Sequence, residues 1–185
     1  EPVDEAMLSL AHDPEYVRGI LACEIDNGFR NRRPDVAVSL PYTSGAMLAA
    51  AGEAIANRRV ACAPVSGFHH AGYGYAGGFC TFNGLMVTAL ALKCDGRAER
   101  VGILDLDHHW GNGTDDIISR LNIRWVQHHS SGKLNPGRED AEPGRIVAVF
   151  GPKGGVGRTT LAVNLAVAAA TELGQRTCLV DASFQ

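Results

Sequence analysis

The 185-residue sequence predicts an α/β fold in which a parallel sheet is flanked by helices. Two patterns indicate this class. Residues 101–107 are apolar on both faces until the end of the run, as expected of a central parallel strand covered by helices. Residues 145–181 follow the order strand, glycine-rich loop, helix and strand, which is one parallel βαβ unit. Ligand-binding residues are therefore expected at the carboxyl ends of the strands.

The individual elements are predicted from capping residues, periodicity and composition. Two helices are expected within residues 5–26, because Asp13 and Pro14 suit the N-cap and first turn of a new helix. A loop is predicted at residues 27–41. The elements expected after it are a helix at 43–57, a strand at 60–64, a glycine-rich loop at 66–78, a helix at 83–93, the strand at 101–107, a helix at 114–121 and a strand at 123–127.

Two segments of different character are predicted. From Ser130 to Gly144 the sequence is rich in Ser, Gly, Asn, Pro and charge and has no periodicity. We therefore expect a first segment at residues 1–135, a linker at 136–144 and a second segment at 145–185. The second segment is predicted to contain a strand at 145–150, a glycine-rich loop at 151–158, a helix at 159–173 and a strand at 177–181.

Composition excludes several classes of function. The chain has 17 Lys and Arg against 20 Asp and Glu, so it carries no large positive field to hold a nucleic-acid backbone. The five cysteines are widely spaced without a C-x-x-C pair, which argues against a disulfide framework and a cysteine zinc site. No apolar run reaches the roughly 18 to 20 residues that cross a bilayer. The first residues are acidic, unlike a signal peptide. We therefore expect a cytoplasmic protein.

Six of the seven histidines lie in adjacent pairs, at residues 69–70, 108–109 and 128–129. Residues two apart in a strand point to the same side, so Asp105, Asp107 and His109 are expected on one face of the strand that carries them. Carboxylate oxygen and imidazole nitrogen are both good zinc ligands, so Asp107 and His109 can bind one metal ion. On spacing alone, the alternative is a buried strand end whose acids and imidazoles satisfy backbone groups.

Three motifs in order resemble the zinc-dependent histone deacetylase and acetylpolyamine amidohydrolase family. They are PVSGFHHA at residues 64–71, GGFCTFN at 77–83 and DLDHHWGNGT at 105–114. Residues 12–17 and 41–46 are also similar to family sequence. The resemblance covers residues 1–135 and implies part of an arginase/deacetylase-like fold.

The resemblance implies hydrolysis of acetylated lysine peptides or acetylpolyamine. Asp107 and His109 match the first two zinc ligands, and His69 and His70 match the tandem histidines that handle protons. The implied chemistry is attack of zinc-activated water on the amide carbonyl. One histidine is the base, and the other helps to protonate the leaving amine.

Further positions match supporting parts of the family's site. Asp105 matches the acid that supports the first histidine and a bound monovalent cation, and Asn112 matches the partner of the second histidine. Gly78 and Phe79 match the wall of the acyl-lysine channel. Cys80 is expected to be a buried channel residue rather than a nucleophile, because no nearby feature demands a thiolate.

Two parts of the family's site match no residue of this sequence: the third zinc ligand, an aspartate far downstream, and the tyrosine that polarises the carbonyl. A site with two of three protein ligands is expected to hold zinc weakly, and loss of the polarising donor removes electrostatic stabilisation. We therefore expect little or no deacetylase turnover from these residues by themselves. Robust turnover that requires His69 would contradict this expectation.

A second motif, FGPKGGVGRTT at residues 150–160, lies between a predicted strand and a predicted helix. The backbone N–H groups of such a loop and the N-terminus of the following helix bind phosphate. The motif resembles the deviant Walker A loop of the ParA/MinD ATPases, particularly the CpaE branch. The resemblance implies binding of ATP and Mg²⁺ by Lys153, Gly154, Gly155, Val156, Gly157, Arg158, Thr159, Thr160 and Asp181.

The second segment departs from that ATPase family at two positions. Arg158 replaces the usual phosphate-binding lysine, and Ser183 replaces the second aspartate of the family's Asp-x-Asp. The helix predicted at 159–173 is apolar nearly all round, so we expect it to pack against the first segment or to mediate self-association with another chain.

Three functions are consistent with these motifs. The first is a deacetylase-family zinc amidohydrolase segment joined to a partial P-loop nucleotide-binding unit. The second is an ATP-binding positioning module of the ParA/MinD/CpaE type with a degenerate N-terminal scaffold. The third is an inactive fusion or truncation of both. Zinc content favours the first, and nucleotide retained after purification favours the second.

Overall fold

A computed structural model describes residues 1–134 of the chain. The chain divides into two units, Glu1–Ala141 and Glu142–Gln185, and all the described residues lie in the first. Their helices are α1 (Glu5–Leu8), α2 (Pro14–Leu21), α3 (Pro34–Asn57), α4 (Gly84–Cys94) and α5 (Asn112–Arg120), their strands are β1 (Val101–Asp105) and β2 (Val126–Ser130), and a 3-10 helix follows at Ser131–Leu134. The predicted linker at 136–144 and the predicted βαβ unit at 145–185 lie outside the described residues.

The described sheet consists of β1 and β2, which pair in parallel with Val101 opposite Val126 and Asp105 opposite Ser130. Helix α5 connects the two strands. The α/β class with a parallel sheet is therefore confirmed. Because parallel strands share a direction, the segments that follow Asp105 and Ser130 emerge at the same edge of the sheet.

The N-terminal helices form as the sequence predicts. Asp13 is the N-cap of α2, where its carboxylate accepts hydrogen bonds from the backbone N–H groups of Glu15 (2.8 Å) and Tyr16 (3.3 Å). These helices and α4 supply most of a common apolar core, whose fully buried side chains include Leu8, Val17, Ile20, Met86 and Val87. Among residues 1–134, none of the helices is both long and apolar enough to cross a membrane.

The loop predicted at residues 27–41 is wrong beyond residue 33, because α3 begins at Pro34. Proline is well tolerated in the first turn of a helix, where its missing N–H has no intrahelical partner in any case. Pro41 then lies inside α3. Its carbonyl also accepts the backbone N–H of Val3 at 3.2 Å, which ties the N-terminal segment to this helix.

The three strands predicted in this part of the chain also differ from the observed ones. Residues 60–64 pair with no described strand, and Val60 is 87% exposed, so the predicted strand there is wrong. β1 ends at Asp105 rather than at residue 107. β2 lies three residues further along the chain than predicted, which places His128 and His129 inside it.

A buried asparagine joins the elements around the loop at residues 66–78, which carries His69 and His70 and is called the histidine loop below. Asn83 is the N-cap of α4 and accepts a hydrogen bond from the Met86 N–H (3.1 Å). Its amide donates to the Ala71 carbonyl and to Thr114 Oγ1, both at 3.0 Å. His12 adds a second tie, since its Nδ1 donates to the Gly72 carbonyl (2.8 Å) and its Nε2 accepts the Asn83 N–H (2.8 Å). These bonds fix the loop that follows His70.

Candidate active site

Two loops bring the predicted site residues together: the histidine loop before α4 and the segment between β1 and α5. His69 and His70 lie side by side, with their ring centroids 4.0 Å apart. The backbone carbonyl of His69 accepts the N–H of Thr114 at 3.1 Å, which holds the histidine loop against the start of α5.

His69 is held by a carboxylate. Its Nδ1 lies 2.8 Å from Asp105 Oδ2, and the two side chains are 11% and 8% exposed. A carboxylate can only accept, so this bond places the proton on Nδ1 and leaves Nε2 as the free ring nitrogen. His69 Nε2 lies 3.9 Å from Asp107 Oδ1. The ring is thus aimed toward the predicted metal ligands.

His70 is held by an amide instead. Its Nδ1 lies 2.6 Å from Oδ1 of Asn112, the first residue of α5. The amide oxygen accepts from Nδ1–H, so Nε2 of this ring is also directed away from its support. Neighbouring imidazoles therefore have supports of different charge: a carboxylate behind His69 and a neutral amide behind His70.

Asp107 and His109 meet in a loop, not on a strand. Because β1 ends at Asp105, the expected same-face geometry does not operate here. Instead, Asp107 Oδ1 accepts hydrogen bonds from the His109 backbone N–H (2.8 Å) and lies 2.9 Å from its Nδ1. The His109 ring lies 5.8 Å from that of His70. All four predicted catalytic and metal-binding side chains therefore share one neighbourhood.

Local contacts keep Asp107 in the form that binds metals. Partial burial opposes ionisation, but hydrogen bonds from the His109 backbone and ring outweigh it and lower the pKa of the Asp107 carboxyl. The Asp107 backbone N–H is itself held by Asp105 Oδ1 at 3.0 Å. Asp107 is thereby an ionised acceptor at neutral pH.

Asp107 and His109 are both of residue types that bind zinc, and their side chains lie next to each other. Two ligands of one tetrahedral zinc ion lie roughly 3.3 Å apart, given bonds of about 2.0 to 2.1 Å. Asp107 Oδ1 and His109 Nδ1 lie 2.9 Å apart because a hydrogen bond joins them, so Nδ1 would have to lose its proton to bind a metal ion. Within residues 1–134, no group of three or more His, Cys, Asp or Glu side chains is arranged to hold a metal ion. The described residues supply two ligands.

The predicted channel residues border His70. Gly78 has a φ of +50°, and a Cβ there would stand 2.2 Å from His70 Cδ2, so only glycine lets the backbone approach this ring. Phe79 also has a positive φ and is 71% exposed, with its ring centroid 6.0 Å from that of Phe29. Cys80 is buried, and burial raises the pKa of its thiol. That pKa shift fits the expected packing role and not a nucleophile.

Sequence reasoning gave no role to His128 or Asp115. His128 Nδ1 lies 2.7 Å from Asp115 Oδ1, and the His128 side chain is 2% exposed. The sequence signal was the His128–His129 pair itself. Both residues lie on β2, where alternation along the strand turns the His128 ring inward and leaves His129 exposed. The nucleotide-binding residues predicted at 153–160 and at Asp181, and the helix predicted at 159–173, lie outside the described residues.

Comparison with known proteins gives one family and several relatives. The family model described as "Histone deacetylase domain" matches residues 1–172, which extends past the residue-135 limit of the predicted resemblance. The chain is 34% identical over 124 residues to an uncharacterized protein of Picosynechococcus, covering 62% of this chain and 40% of that protein. It is 32% identical over 134 residues to an acetylpolyamine amidohydrolase of Burkholderia pseudomallei, covering 68% of this chain and 38% of that protein.

Two further matches are shorter or structural. Acetylpolyamine amidohydrolase 2 of Pseudomonas aeruginosa is 46% identical over 67 residues, or 36% of this chain and 19% of that protein. The crystal structure of the HDA15 HD domain superposes with a TM-score of 0.58 at 25% identity, covering 70% of this chain and 38% of that chain. The chain thus spans less than half the length of each of these relatives. None of these comparisons supports a ParA/MinD-type ATPase segment.

Proposed function

Since this chain belongs to the histone deacetylase domain family, we propose that its described site is the proton-transfer and metal-binding part of a zinc-dependent amidohydrolase that deacetylates lysine or polyamine. The observation that carries the proposal is the pair of adjacent imidazoles. Each is held through Nδ1, and both lie beside the Asp107–His109 pair. The Nε2 atoms of His69 and His70 are therefore left free of these supports, near the side chains of Asp107 and His109.

Hydrolysis of an amide requires a base and an acid, and the difference between the two supports favours His69 as the base and His70 as the acid. His69 Nε2 takes a proton from the attacking water, and the Asp105 carboxylate compensates the positive charge that the ring then carries. The proton removed from water passes on to the leaving nitrogen, and His70 Nε2 is the group that delivers it. The bond from water oxygen to the carbonyl carbon forms, the C–N bond breaks, and acetate and a free amine result.

Asp107 and His109 are the residues that would hold zinc. When bound, zinc supplies a more acidic water and polarises the acyl carbonyl. The monovalent cation predicted at Asp105 stays a prediction. Both carboxylate oxygens of Asp105 already accept hydrogen bonds, from His69 Nδ1 and from the Asp107 N–H.

The substrate side of the proposal rests on the segment beside His70. Phe79 offers an exposed aromatic surface next to Gly78, and Phe29 lies against it. Flat apolar rings suit the aliphatic arm of lysine or of a polyamine, which must pass them to bring its acetyl group to the histidines. Both substrate classes share that arm, so the assay must separate them.

The proposal is tested by acetate release from an acetyl-lysine peptide and from an acetylated polyamine, using the full chain with added Zn²⁺. We expect slow turnover that requires zinc and falls by about 10²-fold or more in Asp105→Asn, which removes the charge behind His69. The control is His129→Ala, an exposed histidine of β2, which should leave the rate unchanged. Acetate release that survives His69→Ala would contradict the proposal.

The nucleotide-binding function predicted for the second segment rests on its motif and stays a second candidate. Equilibrium binding of ATP with Mg²⁺ to the full chain tests it. We expect binding that Lys153→Ala and Arg158→Ala both weaken, because both side chains are predicted to face phosphate. A chain that binds neither zinc nor ATP would instead support the inactive fusion or truncation.

A further inference from the structure

A second histidine–carboxylate pair lies directly behind Asp105. His128, on β2, is 2% exposed, and its Nε2 stands 3.8 Å from Asp105 Oδ2. That oxygen is the one that accepts His69 Nδ1–H at 2.8 Å. His128 Nε2 makes no hydrogen bond to any of the described residues. A buried ring nitrogen is thus aimed at the carboxylate that supports the proposed base.

The backbone of Gly111 lies against both Asp105 and His128. A Cβ at Gly111 would stand 2.5 Å from Asp105 Oδ2 and 3.1 Å from His128 Nε2. The Gly111 N–H is held by Ser130 Oγ at 2.9 Å, which fixes the backbone at this point. The absence of a side chain at residue 111 lets Asp105 and His128 face each other directly.

Asp115 determines which nitrogen of His128 carries the proton. Asp115 Oδ2 accepts hydrogen bonds from Trp110 Nε1 (2.9 Å) and Lys133 Nζ (2.7 Å), which leaves Oδ1 for His128 Nδ1 (2.7 Å). Partial burial opposes ionisation of Asp115, but these bonds outweigh it and lower its pKa. An ionised carboxylate only accepts, so the proton of His128 lies on Nδ1 and Nε2 presents a lone pair.

Asp105 Oδ2 therefore faces one donor and one acceptor. Two acceptors do not attract, which accounts for the 3.8 Å separation between His128 Nε2 and Asp105 Oδ2, beyond hydrogen-bond distance. We propose that His128 is a positioning residue: held by Asp115, it offers Asp105 no competing hydrogen bond and so reserves that carboxylate for His69. The inference deepens the proposed function, since its importance rests on His69 as the base.

The test follows the ring ¹⁵N resonances of His69 and His128 in the full chain, labelled at histidine and free of metal and substrate. The variant is Asp115→Asn, whose amide can donate to His128 Nδ1 and move the ring proton to Nε2. We expect the ring proton of His128 to move to Nε2, where it competes with His69 for Asp105. The two ring nitrogens of His69, one protonated and one not in the wild type, should then no longer give separate ¹⁵N signals. The control Asp116→Asn makes the same charge change on the next residue of α5 and should alter neither ring.

A folded Asp115→Asn chain with the His69 resonances of the wild type would overturn the proposal. If that variant does not fold, His128→Gln replaces it, since its amide can donate to Asp105 and should weaken the His69 bond in the same way. Unchanged His69 signals in His128→Gln would be equally decisive against the proposal. Acetate release is measured separately. A chain that shows the predicted coupling without turnover contradicts the proposed function and leaves this inference standing.

Discussion

At the scale of single residues, the partner of Nδ1 differs among four of the seven histidines. His12 donates to a backbone carbonyl, and its other nitrogen accepts a backbone N–H, so it is a structural tie. His69 and His128 each donate to a carboxylate, whereas His70 donates to an amide. The same side chain therefore acts as a tie, a proposed base, a positioning group and a proposed acid. The adjacent histidine pairs in the sequence do not by themselves reveal which role each ring has.

His12 makes stability depend on pH. Burial lowers the pKa of His12 from 6.5 to about 4, although hydrogen bonds to Gly72 and Tyr73 oppose this. Below pH 6.5 the unfolded chain gains a proton that the folded chain does not bind. The free energy of unfolding should therefore fall by about 3 kcal/mol as the pH decreases from 6.5 to about 4, through this residue alone.

Urea unfolding across that pH range tests the assignment. The variant His12→Asn cannot titrate there and should show a shallower dependence on pH, at lower overall stability. His129→Asn removes an exposed histidine and should keep the slope of the wild type. Equal slopes in the wild type and in His12→Asn would show that His12 is not the titrating group.

Gly78 and Gly96 form a matched pair for testing the wall beside His70. Both have a positive φ, but a Cβ at Gly96 would meet nothing within 4 Å, whereas at Gly78 it would collide with the His70 ring. We expect Gly96→Ala to cost about 1 to 2 kcal/mol from backbone strain alone. Gly78→Ala should cost more and also displace His70, as measured by denaturant unfolding and by the His70 ring resonances. Equal costs with an undisturbed His70 would contradict the proposed contact.

At the scale of elements, local signals predicted helix starts better than strands. The N-cap Asp13 was predicted correctly because capping is a bond within one turn, whereas Asn83 was expected inside its helix and is instead the N-cap. Strand 60–64 was predicted wrongly, since an apolar run becomes a strand only if a neighbour pairs with it. The continuation of α3 through Pro41 was missed because tertiary packing overrode a local helix breaker.

Asp4 and Asn83 are both N-caps, but replacing each by alanine should lower the free energy of unfolding by a different amount. Asp4, the N-cap of α1, is exposed and accepts one hydrogen bond, from the Met7 N–H. Asp4→Ala should therefore cost about 1 kcal/mol or less. Asn83→Ala should cost about 3 kcal/mol, because it also leaves the buried Ala71 carbonyl and Thr114 hydroxyl without their partner. Denaturant unfolding of both variants measures the difference. Similar costs would mean that Asn83 acts only as a cap.

At the scale of the whole molecule, the site depends on contacts between distant segments. His69 and Asp105 are 36 residues apart, and His70 and Asn112 are 42 apart. The motifs identified these residues, but their pairing follows from the path of the histidine loop and from β1, which no local pattern encodes. The expected strand geometry for Asp107 and His109 was wrong, yet a hydrogen bond in the loop brings the two side chains together. His128 was missed because its place on β2 depends on register.

The most direct test of the central claim, that these side chains form one metal-binding catalytic site, is a Zn²⁺ titration of the histidine-labelled full chain. The ring ¹⁵N resonances of the seven histidines are followed individually. We expect the resonances of His109, His69 and His70 to shift together along one saturation curve as zinc is added, while those of His12 and His129 do not. A response of His109 without the tandem histidines, or one spread evenly over all seven, would contradict this claim.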